Sequence, residues 1–220
     1  MLPPPSGPPN WEARALNVGV ALVAILLTAP LMLMIALLIK LGSPGPVIFR
    51  QDRVGVDRRR NRGPQSLPSR RSDDRGGNVF MIYKFRTMRA DSGGAKQVWA
   101  SKDDPRITPF GRILRAMRLD ELPQLVNVLN GDMNIVGPRP EQPRIFAELS
   151  EEIEEYRDRQ RVLPGITGLA QVNHGYDTDL EGVRKKVELD LTYIRHRSAI
   201  HDLSIKARTL PVILLRRVWM

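Results

Sequence analysis

Cysteine is absent from the 220 residues, which removes disulfides, thiolate metal sites and cysteine nucleophiles together. Histidine is scarce: His174, His196 and His201 lack the paired spacing of a zinc-binding helix and read as ordinary surface or core side chains. Charge is missing from two stretches. Residues 1–10 carry none and are rich in proline, so 1–13 reads as a disordered lead-in. Between Arg14 and Lys40 there is again no charged side chain, and the roughly 25 apolar residues there would extend ~37 Å as a straight helix against a hydrocarbon core of ~30 Å. That run is too long for a cleaved signal peptide and no basic residue precedes Arg14, so residues 14–41 are expected to be a membrane-embedded helix.

What the chain has in excess is positive charge. Lys and Arg number 34 against 24 Asp and Glu, a formal charge of +10, so the partner should be anionic: nucleic acid, lipid head groups or phosphorylated substrates. A hydrophobic content of 42% allows one packed domain, residues 42–220, beside the anchor. Within the anchor, Pro30 removes one backbone hydrogen bond and crowds the carbonyl of Leu26, which predicts a kink. Two geometries stay open. A sharp bend would enter one leaflet and return, with arms of ~20 Å; a gentler one would cross, with Lys40, Arg50 and Arg53 holding the C-terminal side in the cytoplasm. Residues 57–78, with seven arginines from Arg58 to Arg75 among Gly, Pro and Ser, read as a mobile basic insertion, either a contact for anionic head groups or a solvated loop.

Chemistry concentrates between Arg112 and Pro140. Asp120 and Glu121 stand just before Pro123, which is tolerated in a first helical turn, so both acids are expected at a helix N-terminus whose dipole keeps Asp120 ionised, as a nucleophile or metal ligand. Arg112, Arg115 and Arg118 recur every third residue opposite Phe110, Ile113, Leu114 and Met117, an arginine stripe leading to the acids. Gly131 fits a helix C-cap, and Gly137-Pro138-Arg139-Pro140 a rigid turn that brings one more arginine. Acids among arginines suit a phosphate held with a divalent cation. A capped helix with a surface salt-bridge cluster is the plainer alternative.

The remaining segments frame that centre. In VFMIYKFRTM, Lys84 and Arg86 fall two apart, on one face of a strand, where they suit a diphosphate or merely solubility. Thr108-Pro109 opens the helix of the arginine stripe. Phe146, Leu149, Ile153 and Tyr156 mark an amphipathic helix with a solvated glutamate face. Residues 163–176 read as a glycine-punctuated loop, for a ligand or as a connector. Thr178 and Glu181 form a capping box for a helix that turns Leu180, Val183, Val187, Leu191 and Ile194 inward, with Asp190 beside that stripe in need of a cationic partner. Residues 205–220 mix apolar and basic side chains, as an interfacial membrane segment or a docked terminal helix.

From Val18 to Leu215 the fragments SPGPVIFRQDRVG, YKFRTM, RLDELPQLVNVLNGDMNIVGPRPE, LPGITGLAQV and DLTYIRHRSAIHDLSIKARTL, in that order, resemble the bacterial sugar transferases, the monotopic phosphoglycosyl transferases. The resemblance implies an α+β fold, mainly helical with a few short strands, carrying an N-terminal re-entrant, Pro-kinked membrane helix and interfacial helices. It implies a catalytic domain on the cytoplasmic face of the bacterial inner membrane. The reaction implied moves a sugar 1-phosphate from a nucleotide sugar, usually a UDP-sugar, to undecaprenyl phosphate with release of UMP, the first step of a surface glycan such as exopolysaccharide. Asp120 matches the family nucleophile and Glu121 the residue that holds Mg²⁺. Arg115, Lys84 and Arg139 match positions at the phosphate site, with Arg86, Arg112 and Arg118 expected beside them, and Asp190 matches a further family acid counted with the substrate-binding set. Anionic membrane lipids are expected partners, a homodimer is left open, and nucleic acid is not expected. Two departures stand out: Ala29 replaces a serine before the membrane proline, leaving Thr28 to satisfy the kinked backbone, and the 57–78 insertion replaces a short turn. The rival classes are a membrane-anchored nucleic-acid binder, which leaves the acid pair unexplained, and a lipid-binding scaffold without catalysis, against which the intact acid pair argues.

Overall fold

The computed structural model describes residues 11–57, 77–89, 104–173 and 179–215. The proline-rich residues 1–10, most of the basic insertion (58–76), residues 90–103, His174, Thr178 and the last five positions lie outside them. The anchor is a single helix, α1 (Trp11–Gly42), with Pro30 inside it, and it is long and apolar enough to cross a membrane. It lies against the rest of the chain along its length. Asn17, Ala21, Ile35 and Ile39 are buried, spaced so that one helix face meets the domain on both sides of Pro30. Ala21 clusters with Phe80, Leu125, Val128 and Met133, and Ile35 and Ile39 with Phe85 and Leu114. Leu26, Leu27, Leu33, Leu37 and Leu41 are left exposed, an apolar surface that water does not suit. The hydroxyl of Thr28 donates to the Ala24 carbonyl at 2.7 Å, so it does not rescue the Leu26 carbonyl that Pro30 leaves without its usual donor.

After the turn that closes α1, strands β1 (Ile48–Val54) and β2 (Val79–Phe85) pair antiparallel, Ile48 opposite Phe85 and Val54 opposite Val79. Phe80, Ile82 and Phe85 point inward. Helix α2 (Pro109–Ala116) starts as the sequence predicts, with Thr108 accepting from the Gly111 amide at 2.9 Å. Its apolar side is only partly covered: Leu114 is buried, while Ile113 and Met117 are exposed. A 3-10 turn (Leu119–Glu121) follows, then α3 (Gln124–Asn130). Gly131 closes α3 at φ 87°, a left-handed conformation that favours glycine. Strand β3 (Asn134–Val136) comes next, then α4 (Pro143–Glu152) and a 3-10 segment (Glu154–Arg161) that crosses to β4 (Gly165–Thr167). β3 and β4 pair in parallel. Gly137 and Gly165 approach so closely there that a Cβ on either would strike the other strand's backbone.

Residues 163–173, expected as loop, thus supply β4 and the short helix α5 (Leu169–Asn173); a three-residue strand is too brief to show a period. Helix α6 (Leu180–Arg195) is capped by Asp179, which accepts from the Gly182 amide, so the cap falls one residue later than the Thr178 box. Val183, Val187, Leu191 and Ile194 are buried as expected, but Leu180 is exposed. Helix α7 (Ala199–Leu215) buries Ile205 and presents Ile200 and Leu203 outward. The main core joins α4, α6, β3 and α7 through Val136, Phe146, Tyr156, Leu191, Tyr193 and Ile205. The fold is mainly helical with a few short strands, in keeping with the sequence reading.

Candidate active site

The acid pair does not sit in the first turn of an α-helix. Asp120 and Glu121 occupy the 3-10 turn between α2 and α3, and Pro123 is the N-cap of α3 rather than part of its first turn. Arg118 enters the turn in the left-handed region, at φ 53°, a strain that swings the chain off the α2 axis. Both acids are buried, yet their surroundings differ. Glu121 Oε1 accepts from Lys84 Nζ at 3.0 Å and from Arg139 Nη2 at 2.6 Å, and its Oε2 lies 3.6 Å from Arg118. Asp120 takes no hydrogen bond or ion pair from the described residues.

The electrostatics follow from that asymmetry. Burial alone would raise the pKa of Glu121, but Arg139, Lys84 and Arg118 outweigh it and hold the carboxyl well below its ordinary value. Asp120 goes the other way: burial first, and the Glu121 charge second, push it up, with Lys84, Arg139 and Arg115 pulling against them. The expectation that a helix dipole keeps Asp120 acidic is therefore corrected, because desolvation acts directly on this carboxylate. Burial pushes the Lys84 ammonium below its usual value, with Glu121 opposing.

The expected cations separate into three groups. Lys84 and Arg139 meet at Glu121, with Arg118 at the edge. Arg115 Nε donates to Thr87 Oγ1 at 2.9 Å, close enough for its charge to act on Asp120. Arg112 is exposed on α2 and, among the described residues, neither bonds nor pairs with the acids; the helix ends at Ala116, so no continuous stripe forms. Arg86 also departs. β2 stops at Phe85, and the buried Arg86 guanidinium donates to the carbonyls of Pro44 (2.6 Å) and Ser43 (2.7 Å), clamping the exit of α1 instead of facing the acids.

Asp190 finds the cation it needed in Arg159, at 2.8 Å, with both side chains buried. Arg159 lies over the Tyr156 ring and donates to the Arg139 carbonyl at 2.9 Å. Asp190 thus stands behind the Gly137–Pro140 turn rather than in the open site. Arg53 grips the same turn through the Pro140 carbonyl at 3.0 Å, and Glu141 is tied to Lys186 at 2.8 Å. Reading the sequence missed these supports, and it missed Asn127. Fully buried in α3, Asn127 accepts from the Tyr83 amide (3.1 Å) and donates to the Met81 carbonyl (2.7 Å), fastening α3 to β2 so that Lys84 reaches Glu121. A polar residue inside the apolar run LVNVL was its signal.

Fold and site define an α+β protein with one apolar helix of membrane-crossing length and a buried acid pair set among guanidinium and ammonium groups. A family profile described as "Bacterial sugar transferase" matches residues 10–216, and the chain belongs to that family. It is 42% identical over 201 residues to a UDP-N-acetylgalactosamine-undecaprenyl-phosphate N-acetylgalactosaminephosphotransferase of Aeromonas hydrophila, covering 91% of this chain and 43% of the relative. It is 42% identical over 207 residues to a UDP-glucose:undecaprenyl-phosphate glucose-1-phosphate transferase of Caulobacter vibrioides, covering 93% and 70%. A protein of the same description in Escherichia coli is 41% identical over 204 residues, covering 92% and 40%. The chain therefore spans less than half the length of two of these three relatives.

Proposed function

We propose that this protein is a phosphoglycosyl transferase that moves a sugar 1-phosphate from a UDP-sugar to undecaprenyl phosphate through a covalent intermediate on Asp120. The observation that carries the proposal is the division of labour in the acid pair: Lys84 and Arg139 engage Glu121 through Oε1, with Arg118 more distant at Oε2, while Asp120, beside it, takes no hydrogen bond or ion pair from the described residues. Two carboxylates with opposed environments take two roles. The relatives' names supply the substrate class.

In the first step an Asp120 Oδ attacks the phosphorus that bears the sugar. A P–O bond to the carboxylate forms, the diphosphate P–O bond breaks, and UMP leaves. In the second step a phosphate oxygen of undecaprenyl phosphate attacks the same phosphorus, which breaks the acyl-phosphate and returns Asp120. Arg139 and Lys84, held at Glu121, stabilise charge on the transferring phosphoryl oxygens, and Arg115 and Arg118 flank them. Burial raises the nucleophilicity of Asp120 by stripping water from it, and the nearby cations keep enough of it ionised.

The donor set suits Mg²⁺. Among the described residues no cluster of three acids or histidines occurs, but adjacent carboxylates with substrate phosphate oxygens match the way this ion is bound, and Glu121 Oε2 is only loosely engaged by Arg118. Glu121, with Asp120 next to it, would hold the ion, which when bound supplies neutralising charge to the diphosphate.

Helix α1 is proposed to enter the membrane from the cytoplasmic face and to stay on it. Both of its halves dock on one domain, and a perpendicular crossing would drag that domain into hydrocarbon. The exposed apolar residues of α1, α2 and α7 would lie in the bilayer surface, where the lipid substrate is. The decisive experiment is UMP release with a panel of UDP-sugars and undecaprenyl phosphate, with mass spectrometry of enzyme given donor alone. A phosphosugar on Asp120, absent in Asp120→Asn together with turnover, is expected; full activity with Asp120 unlabelled would refute the covalent route.

A further inference from the structure

We infer that Arg14 and Asn17 of the membrane helix are positioning residues for the acid pair and Arg139, so that the seating of α1 against the domain sets the geometry of the site. The inference rests on the reaction assigned above. Arg14 donates from Nη1 to the Val128 carbonyl at 2.6 Å and from Nη2 to the Leu129 carbonyl at 2.9 Å. These belong to the last turn of α3, where a cation complements the dipole; the Val128 carbonyl, which also accepts from the Gly131 amide at 3.2 Å, is shared, and the Leu129 carbonyl has no i+4 helical donor. The guanidinium lies beside Gly131, where a Cβ would be 3.4 Å from Nη2. Asn17, only 3% exposed, is oriented by donating to the Ala13 carbonyl at 2.7 Å, and its Oδ1 accepts from the Ile135 amide at 2.9 Å. Ile135 is the middle residue of β3, and its amide points away from β4, whose bonds go to Asn134 and Gly137. Asn17 therefore supplies the partner that this edge of β3 lacks.

The two contacts grip one unit. α3 and β3 are joined by the short turn at Gly131, and their far ends lead to the site: Glu121 lies three residues before α3, and Arg139 three residues after β3. Glu121 and Arg139 pair at 2.6 Å. A helix whose task was only to enter lipid would do so more cheaply without an amide at position 17. The simpler account of Arg14 is a positive flank that orients the helix, and Lys would serve that purpose equally while losing the two-pronged fork.

The test uses the full chain in phospholipid nanodiscs, comparing the parent with Arg14→Lys and Asn17→Leu. Both variants should stay membrane-bound and melt within a few degrees of the parent. We expect kcat to fall at least tenfold with the donor KM changed less than threefold, because the loss lies in alignment rather than in donor binding. Amide hydrogen exchange should quicken in Asn17→Leu not only at Ile135 but also in peptides spanning 119–122 and 137–141. Parental kcat in both variants, a kcat loss matched by the loss of folded protein, or faster exchange confined to β3 would overturn the inference. Exchange is read whether or not turnover is found, so a parent without turnover would strike the assigned reaction, while the exchange pattern still decides the coupling.

Discussion

At the scale of single residues, the site is an argument about two neighbouring carboxylates. Asp120 is raised above its ordinary pKa by burial and by Glu121, so it gains a proton as pH falls through that raised value, and activity should fall with it. Arg115 is one of the charges that pull it back down. Arg115→Gln should therefore move the acidic limb of the kcat/KM profile to higher pH, measured by UMP release across pH 4 to 8 (roughly the range in which a perturbed carboxyl titrates). An unmoved limb would mean that another group sets it. Glu121→Gln should lose most activity and its Mg²⁺ dependence, because an amide binds a hard cation far less well than a carboxylate; an unchanged Mg²⁺ titration would take Glu121 out of the metal site. The acid pair and the Pro-bracketed Arg139 are visible in the sequence because their chemistry is local. The roles of Arg86 and Arg112 are not: β2 stops at Phe85 and Arg86 turns to the end of α1, and Arg112, inside α2, lies on a face left exposed.

At the scale of elements, the Gly137–Glu141 segment is held from behind by groups distant in the chain: Arg53 from β1, Arg159 from the 3-10 segment, and Lys186 from α6. Glu141 is buried, which by itself would raise its pKa, but Lys186, Arg159 and Arg53 bring it to about 2 from 4.5. The folded state thus prefers the ionised form. The stability this adds is present above the ordinary glutamate value and is lost as pH falls from about 4.5 towards 2, on the order of 3 kcal/mol in all. Thermal melts at stepped pH should show Glu141→Gln less stable at pH 7 and with a shallower acid decline than the parent, and equal slopes would contradict the pairing. Asp190 shows how far such supports can be read in advance. Its place beside an apolar stripe demands a cation, but nothing local names Arg159, which is 31 residues away.

At the scale of the whole molecule, α1 is a structural member of the domain as well as its anchor. Cysteines introduced singly at Glu12 and Gly42, in a chain that has none, should both resist an impermeant thiol reagent applied to intact cells. Labelling of position 12 alone would show a crossing helix and would separate α1 from the docking seen here. The same docking explains why α1 carries a buried amide and a half-buried guanidinium near its start.

The sequence by itself determined that the chain has a membrane-length apolar helix, an acid pair among cations, a proline-bracketed arginine and no sulfur chemistry, since each is a matter of residue type and short-range spacing. It also determined most of the buried stripe of α6, whose period runs long enough to be counted, and the burial of Phe146, Leu149, Ile153 and Tyr156, but not that α4 stops at Glu152, which leaves Ile153 at its C-cap and Tyr156 in the 3-10 segment. Only the tertiary structure decided that both halves of α1 meet one domain, that Asp120 is raised and Glu121 lowered, and that Lys84 rather than Arg86 reaches the acids. These depend on burial and on contacts that include residues 18, 37 and 118 positions apart, and desolvation and Coulomb energy follow distance in space, to which position along the chain is a poor guide.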